Sequence, residues 1–198
     1  MPAKPFSQAC ENNKAVILEV LKRHLIQPGK LLEIGSGTGQ HAAFFAEHLP
    51  HLLWQTSDLV ENHAGILAWM HDYRGENLLP PFEWNVATAD WSSLSMDAVF
   101  TANTLHIMSW QEVEAMITGV GQVLSTGGVW AVYGPFNYNG QFTSESNARF
   151  NDWLYQQAPH RAIRDFEKVC ALAEAAGLQL LEDNEMPANN RCLVFRRD

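Results

Sequence analysis

The chain has 198 residues, of which 46% are hydrophobic and 18% charged, so it has the apolar content for one sizeable core and is unlike disordered proteins. A net charge of −9 disfavours nucleic acid as a partner, because proteins that bind its backbone usually present a basic face. No apolar run approaches the roughly 20 residues of a membrane span, and three widely spaced cysteines fit a reducing compartment, so we expect a cytoplasmic protein without a membrane partner.

Apolar periodicity and turn signals predict alternating helices and strands. Helices are predicted over residues 11–25, 40–49, 61–73, 110–124 and 165–176, and strands over 30–34, 52–57, 82–86, 98–102, 129–133, 178–185 and 192–196. Strands that alternate with helices pair in parallel through right-handed crossovers, which gives a three-layer α/β sandwich. Only six residues separate the last two strands, too few for a crossover helix, so these are predicted to form an antiparallel hairpin.

The chain has no repeat, linker or low-complexity tract, so residues 1–198 are predicted to form a single domain. A helical segment occupies residues 1–28, and the core over 29–136 carries a glycine-rich turn. Residues 137–198 hold a lid-like loop, helices and the hairpin. The polar stretch 137–147 has few apolar anchors and is predicted to cover the site, the alternative being a plain surface loop.

The glycine-rich turn lies in Leu31-Leu-Glu-Ile-Gly-Ser-Gly-Thr-Gly-Gln40, between a predicted strand and a predicted helix. Gly35, Gly37 and Gly39 let the backbone approach a ligand at the sheet edge where open α/β folds bind ligands. The dinucleotide fingerprint G-x-G-x-x-G has its third glycine one residue later, and the carboxylate of Glu33 is poorly suited to a pyrophosphate. A carboxylate beside the turn suits a ligand with a positive group, such as an ammonium or a sulfonium.

Two further acids follow predicted strands. Asp58 ends the second strand, where a carboxylate can accept the hydroxyls of a ribose, or can act as a helix N-cap instead. Asp90 follows the third strand, where it can accept from the adenine amino group while Trp91 supplies an apolar wall. The alternative for Asp90 is a solvated turn residue.

Together, the E/D-x-G-x-G-x-G turn and these two acids resemble the class I S-adenosylmethionine-dependent methyltransferases, whose seven-stranded sheet also ends in an antiparallel hairpin. Almost the whole chain is similar to an uncharacterised methyltransferase-like family, a domain of unknown function. That similarity lies in Ser7-Gln-Ala-Cys-Glu-Asn-Asn-Lys14, Gly37-Thr-Gly-Gln-His41, Asn103-Thr-Leu-His106, Tyr133-Gly-Pro-Phe136 and Glu185-Met-Pro-Ala-Asn-Asn190.

The resemblance implies a Rossmann-like, mostly parallel sheet, S-adenosylmethionine as the cofactor, and a set of residues that bind it. The methionine end would be lined by Glu33, Gly35, Gly37, Gly39 and Asn103, the ribose would be bound by Asp58, and the adenine by Asp90 and Trp91.

Methyl transfer requires alignment of donor and acceptor and exclusion of water, and no metal is expected. His106, after the fourth strand, is a candidate general base, or else a histidine that shapes the pocket. Candidate substrate-binding residues are Asn12, Tyr133, Phe136 and Asn190, although core packing also explains the aromatic pair and a turn explains Asn190. Three arginines, Arg149, Arg161 and Arg164, are candidates for binding an anionic substrate, but each alone is more often a solvated charge.

The sequence therefore indicates an S-adenosylmethionine-dependent methyltransferase that acts on a small molecule. A protein that binds this cofactor without catalysis and acts through partners is the alternative, because a specific catalytic signature is missing. An NAD(P)-dependent oxidoreductase is disfavoured by the glycine spacing, by Glu33 and by the terminal hairpin.

Overall fold

The computed structural model describes residues 4–198, and the elements below are those of this range. In chain order they are α1 (Gln8–His24), β1 (Gly29–Ile34), α2 (Gln40–His48), β2 (Leu52–Asp58), α3 (His63–Asp72), β3 (Leu78–Glu83), β4 (Met96–Ala102), α4 (Trp110–Val123), β5 (Leu124–Gly134), β6 (Phe136–Asn137), α5 (Glu145–Gln157), β7 (Arg164–Asp165), α6 (Phe166–Ala175), β8 (Leu178–Met186) and β9 (Asn190–Arg197). Among these residues, no helix combines the length and apolar character that crossing a bilayer requires.

Seven strands form one sheet in the order β3-β2-β1-β4-β5-β9-β8. The first five pair in parallel, whereas β9 runs antiparallel to both β5 and β8, which confirms the predicted sheet and its terminal hairpin. From β1 the chain proceeds outward to β2 and β3, and then returns to β4 on the other side of β1. The point between β1 and β4 is therefore the topological switch point, beside whose carboxyl edge open α/β sheets bind ligands.

Helices cover both faces of the sheet, as a three-layer sandwich requires. On β1, the side chain of Leu31 packs into the cluster that contains residues of α1 and α2. Leu32 and Ile34 pack into the opposite cluster, with residues of α4 and α6. Burial on both faces explains why the consecutive residues Leu31 and Leu32 are both apolar rather than alternating with a polar residue.

The third strand begins four residues and ends three residues earlier than predicted, over Leu78–Glu83 instead of 82–86. Its two prolines, Pro80 and Pro81, disfavour a central strand because proline donates no backbone hydrogen bond. However, β3 is an edge strand that pairs only with β2, and edge strands tolerate proline. The shift leaves residues 84–86 beyond the strand, at the carboxyl edge of the sheet.

The predicted loop over 137–147 is partly structured, because Asn137 belongs to β6 and residues 145–147 begin α5. The sequence did not predict α5, since most of its residues are polar and only Asn147 and Leu154 are buried along it. Its start is fixed by Ser144, whose side chain accepts a hydrogen bond from the backbone N–H of Asn147 at 3.1 Å.

Packing of α4 against the segment after β3 depends on Gly119, since a Cβ at this position would overlap the indole ring of Trp91. We expect Gly119→Ala to lower the free energy of unfolding by about 1–3 kcal/mol, although alanine is the better helix former by about 0.5–1 kcal/mol. Urea unfolding followed by circular dichroism measures the change. The control is Thr118→Ala, exposed on the same helix, which should change stability by less than about 0.5 kcal/mol. A Gly119→Ala protein as stable as the wild type would contradict this packing argument.

Candidate functional site

A cavity of about 1230 Å³ opens along the carboxyl edge of the sheet. We call one part the β2 end, lined by residues in the ranges 34–38, 58–62 and 84–86, and the other the β5 end, lined by residues in the ranges 102–108, 133–135 and 146–161. The sheet order separates the two, because the segments after β1, β2 and β3 lie on one side of the switch point and those after β4 and β5 on the other.

The glycine-rich turn after β1 is hydrogen-bonded to the last residues of β2. Gly35 and Gly37 both have positive φ, at 73° and 55°, which favours glycine. The backbone N–H of Gly35 donates to the carbonyl of Ser57 at 3.1 Å, and that of Gly37 donates to Oδ2 of Asp58 at 2.7 Å. Both glycines line the cavity, and a Cβ on Gly37 would meet nothing within 4 Å, so this turn presents open backbone to a ligand.

Asp58 lines the β2 end and is already engaged by three donors. Besides Gly37, the backbone N–H of Leu59 donates to Oδ1 at 2.7 Å, and Nδ2 of Asn62 donates to the same oxygen at 2.8 Å. Because a carboxylate has about four acceptor positions, Oδ2 retains room for one more donor. The arrangement therefore suits one ligand hydroxyl on Asp58 rather than two.

Glu33 lies behind the turn rather than on the cavity wall. Its Oε2 accepts hydrogen bonds from Trp54 Nε1 at 3.0 Å and from Ser36 Oγ at 2.9 Å. Burial, with a smaller contribution from the charge of Asp58, raises the pKa of Glu33 to about 7. Among the described residues, Glu33 thus supports the turn through Ser36 and does not itself line the cavity.

Gly39 also lies off the cavity wall. It has a φ of 85°, and a Cβ there would lie 2.7 Å from Cα of Ile66. Its lack of a side chain therefore allows α2 to approach α3, a packing role rather than a direct ligand contact.

The structure does not bring Asp90 and Trp91 to this cavity. Asp90 is exposed, and its Oδ1 accepts from the backbone and hydroxyl of Ser92. Trp91 is buried against α4, and its Nε1 donates to the carbonyl of Val86 at 3.3 Å. The residues that line the β2 end at this point are Trp84, Asn85 and Val86.

Sequence reasoning missed Trp84, because residues 82–86 were predicted to form a strand. Trp84 lines the cavity, and its Nε1 is buried without a hydrogen-bond partner in the part of the chain that the structure describes. A buried donor of this kind is costly unless something accepts its hydrogen bond, so a bound ligand is a candidate acceptor.

Asn103 and His106 lie on the loop after β4 and both line the cavity. Asn103 has a φ of 57°, and its backbone N–H donates to the carbonyl of Tyr133 at 2.9 Å, which joins this loop to β5. His106 is only 6% exposed. Burial, together with the positive charges of Arg164 and Arg161, lowers the pKa of His106 to about 4, so its imidazole is neutral at pH 7.

Three of the four predicted substrate-binding residues line the cavity, namely Asn12, Tyr133 and Asn190. Phe136 does not, because its side chain is 1% exposed and belongs to the core on the α4 side of the sheet. The neighbouring Pro135 lines the wall in its place.

The start of α1 closes one side of the cavity. Asn13 lines the wall, and its Oδ1 accepts from Nε2 of His41 at 2.7 Å. The backbone N–H of Ser7 donates to Oε1 of Gln40 at 3.0 Å. These contacts attach the segment before and within α1 to the first turn of α2.

The β5 end also contains residues that the sequence did not single out, Phe150 and Trp153 of α5 among them. The sequence analysis did not identify them because it did not predict α5, the helix that brings them to the cavity. Arg161, which the sequence named only as one of three arginines, lines the same end.

The raised pKa of Glu33 predicts a pH effect on stability. The carboxyl group binds its proton more tightly in the folded protein than in the unfolded chain, where its ordinary pKa is 4.5. Its stabilising contribution is therefore fully present below pH 4.5 and is lost as the pH rises through 7. Relative to a Glu33→Gln variant, the wild type should lose about 2 kcal/mol of unfolding free energy between pH 5 and pH 8.

Urea unfolding of both proteins at the two pH values measures this difference, and the titrations of other groups, which both proteins share, cancel in it. A difference that stays constant, or that grows in favour of the wild type at pH 8, would contradict the raised pKa of Glu33.

The comparisons with known proteins agree with this geometry. Residues 4–197 match the family model DUF938, described as a protein of unknown function. An O-methyltransferase family protein from Burkholderia thailandensis superposes with a TM-score of 0.84 at 16% identity, over 93% of this chain and 56% of that one. An O-methyltransferase family 2 protein from Planctomyces limnophilus, in complex with apigenin, gives 0.84 at 13% identity, over 96% and 58%.

The S-adenosylmethionine-dependent methyltransferase SibL, in its apo form, gives a TM-score of 0.79 at 16% identity, over 96% of this chain and 55% of that one. The chain thus spans a little more than half the length of these proteins, and at such low identity the likeness concerns the fold. The chain belongs to the DUF938 family and has the fold of the S-adenosylmethionine-dependent methyltransferases.

Proposed function

We propose that this protein is an S-adenosylmethionine-dependent methyltransferase that acts on a small molecule. The observation that carries the proposal is the single continuous cavity, which joins the turn and Asp58 at the β2 end to His106 at the β5 end. A methyltransferase needs such a connection, because the donor and the acceptor must meet within one water-excluding space. The Planctomyces limnophilus neighbour, in complex with the small molecule apigenin, supports the substrate class.

The β2 end fits the nucleoside of S-adenosylmethionine. Gly37 offers open backbone, and Oδ2 of Asp58 has room for one ribose hydroxyl. We assign the adenine to the wall formed by Leu59, Trp84 and Val86 rather than to Asp90 and Trp91. Leu59 and Val86 supply apolar sides there, and Nε1 of Trp84 has no hydrogen-bond partner in the described part of the chain, so it can donate to the ligand.

The methionine part of the cofactor would extend past Gly35 toward Asn103, near the switch point between β1 and β4. When bound, the cofactor supplies a methyl group activated by its positively charged sulfur. Glu33 acts there indirectly in this proposal, by fixing Ser36 and therefore the shape of the turn.

His106 is the candidate general base. Because its imidazole is neutral at pH 7, it can take a proton from the hydroxyl or amine of the substrate as the methyl group is transferred to that atom. Arg164 fixes the loop that carries His106, since its Nε donates to the carbonyl of Leu105 at 3.0 Å. The start of α1 and α5 would exclude water from either side of this cavity.

One observation favours a second candidate function, a protein that binds S-adenosylmethionine without catalysis. A histidine with a pKa of about 4 is a weak base, and general-base catalysis is most effective when the pKa lies near the working pH. Turnover separates the two candidates.

The test is release of S-adenosylhomocysteine when the purified protein is incubated with S-adenosylmethionine and a metabolite extract, with no release when the extract is omitted.

We expect His106→Gln to lower kcat by about 100-fold or more while leaving the affinity for S-adenosylhomocysteine unchanged. The pH profile of kcat/KM should be flat near neutrality and fall only as the pH approaches 4, where His106 gains its proton.

The control is His71→Gln, exposed on α3, which should retain full turnover. Cofactor binding with no turnover in any extract would favour the second candidate. A His106→Gln enzyme with unchanged kcat would remove His106 from proton transfer, and binding of NAD in place of S-adenosylhomocysteine would overturn the proposed function.

A further inference from the structure

Three arginines were candidates for binding an anionic substrate, and two of them already interact with other groups of the protein. Arg164 donates from Nε to the carbonyl of Leu105 and from Nη2 to that of His160, both at 3.0 Å. The side chain of Arg149 is 72% exposed, pairs with Glu145 at 3.5 Å, and lies outside the cavity.

Arg161 differs from both. It lines the β5 end, and its Nε is buried without a hydrogen-bond partner among the described residues. Within residues 4–198 its guanidinium has no carboxylate within 4.0 Å. A partly buried guanidinium without a counter-charge is unusual, because removing such a group from water is favourable only when it is paired.

Arg161 also lies beside the candidate base. The backbone N–H of the next residue, Ala162, donates to the carbonyl of His106 at 3.2 Å, and the positive charge of Arg161 contributes to the lowered pKa of that histidine. A group bound to Arg161 would therefore hold the rest of its molecule next to His106.

Aromatic rings complete this part of the wall. The ring of Phe150 packs edge-on against His106 with centroids 5.4 Å apart, and Trp153 stacks on Phe150 at 5.8 Å. Trp153 lines the cavity although it is 50% exposed. Aromatic surface of this kind favours a planar partner, through offset-stacked or edge-to-face contacts.

Charge further separates the two ends. The β2 end carries the acidic residues Asp58 and Glu61, which disfavour an anion there. Glu112 of α4 also lines the cavity, but its Oε2 accepts a hydrogen bond from the backbone N–H of Ser109 at 2.6 Å. Among residues 4–198, the guanidinium of Arg161 is therefore the charged group next to His106 that has neither a partner of opposite charge nor a hydrogen bond from its Nε.

We propose that the methyl acceptor is a planar carboxylate, bound through its carboxylate by Arg161 and through its ring by Phe150 and Trp153, with the acceptor atom facing His106. A guanidinium suits this task because it can donate two parallel hydrogen bonds to a carboxylate. The proposal deepens the proposed function, on which it rests.

The test compares hydroxybenzoate isomers with the matching hydroxybenzamides, which have the same shape but no charge. Calorimetry on protein saturated with S-adenosylhomocysteine should show at least one acid binding about tenfold or more tightly than its amide. Arg161→Gln should abolish that preference while leaving the amide affinity unchanged, and Arg161→Lys should retain part of it. Arg149→Gln, the matched control on α5, should keep the full preference.

Three results would overturn the proposal: equal binding of acid and amide, a preference that survives Arg161→Gln in a variant with wild-type circular dichroism, or no binding of any hydroxybenzoate. Whether the proposed function holds is tested separately and beforehand, by titrating the protein with S-adenosylhomocysteine alone. If that ligand does not bind, the same comparison on the free protein decides whether Arg161 selects carboxylates.

Discussion

The hydrogen bond from the backbone of Gly37 to the carboxylate of Asp58 is the contact on which the cavity depends. It joins the turn after β1 to the last residue of β2, and the same carboxylate engages Leu59 and Asn62 as the chain leaves the sheet. The turn thereby keeps its left-handed glycines in place, and α2 begins directly after it. The chemistry proposed at the β5 end requires this β2 end to be preformed, since the donor must be aligned before the acceptor can react.

Burial favours neutral forms next to the cavity. It raises the pKa of Glu33 to about 7 and lowers that of both His41 and His106 to about 4. Acidic and basic side chains line opposite ends of the cavity, with Asp58 at the β2 end and Arg161 at the β5 end. On the proposed arrangement, a carboxylate on Arg161 would offset part of the repulsion that lowers the pKa of His106, so substrate binding would make this histidine a stronger base.

The sequence predicted those features that local pattern determines. The apolar run into Gly35, Gly37 and Gly39 identified β1, its turn and the fold class, and the six-residue connection identified the hairpin. Features that depend on tertiary context were missed. The edge position of β3 allows it to contain two prolines, so the strand ends before Trp84, which lines the cavity, and Asp90 is exposed beyond it. Most residues of α5 are polar, and only two of them are buried. The sequence also could not show which arginine lacks a hydrogen-bond partner, because the partners are distant in sequence. Arg164, for example, donates to the carbonyl of Leu105.

Calorimetric titration with S-adenosylhomocysteine, comparing Asp58→Asn with Asp90→Asn, decides whether the β2 end binds the cofactor. Both variants remove one acidic charge near the carboxyl edge, but only Asp58 lines the cavity. We expect the wild type to bind and Asp58→Asn to weaken binding by about 1–3 kcal/mol, the usual cost of a lost hydrogen bond to a charged group. Asp90→Asn should leave the affinity unchanged. Unchanged affinity in Asp58→Asn, or a loss in Asp90→Asn instead, would contradict binding of the cofactor at the β2 end.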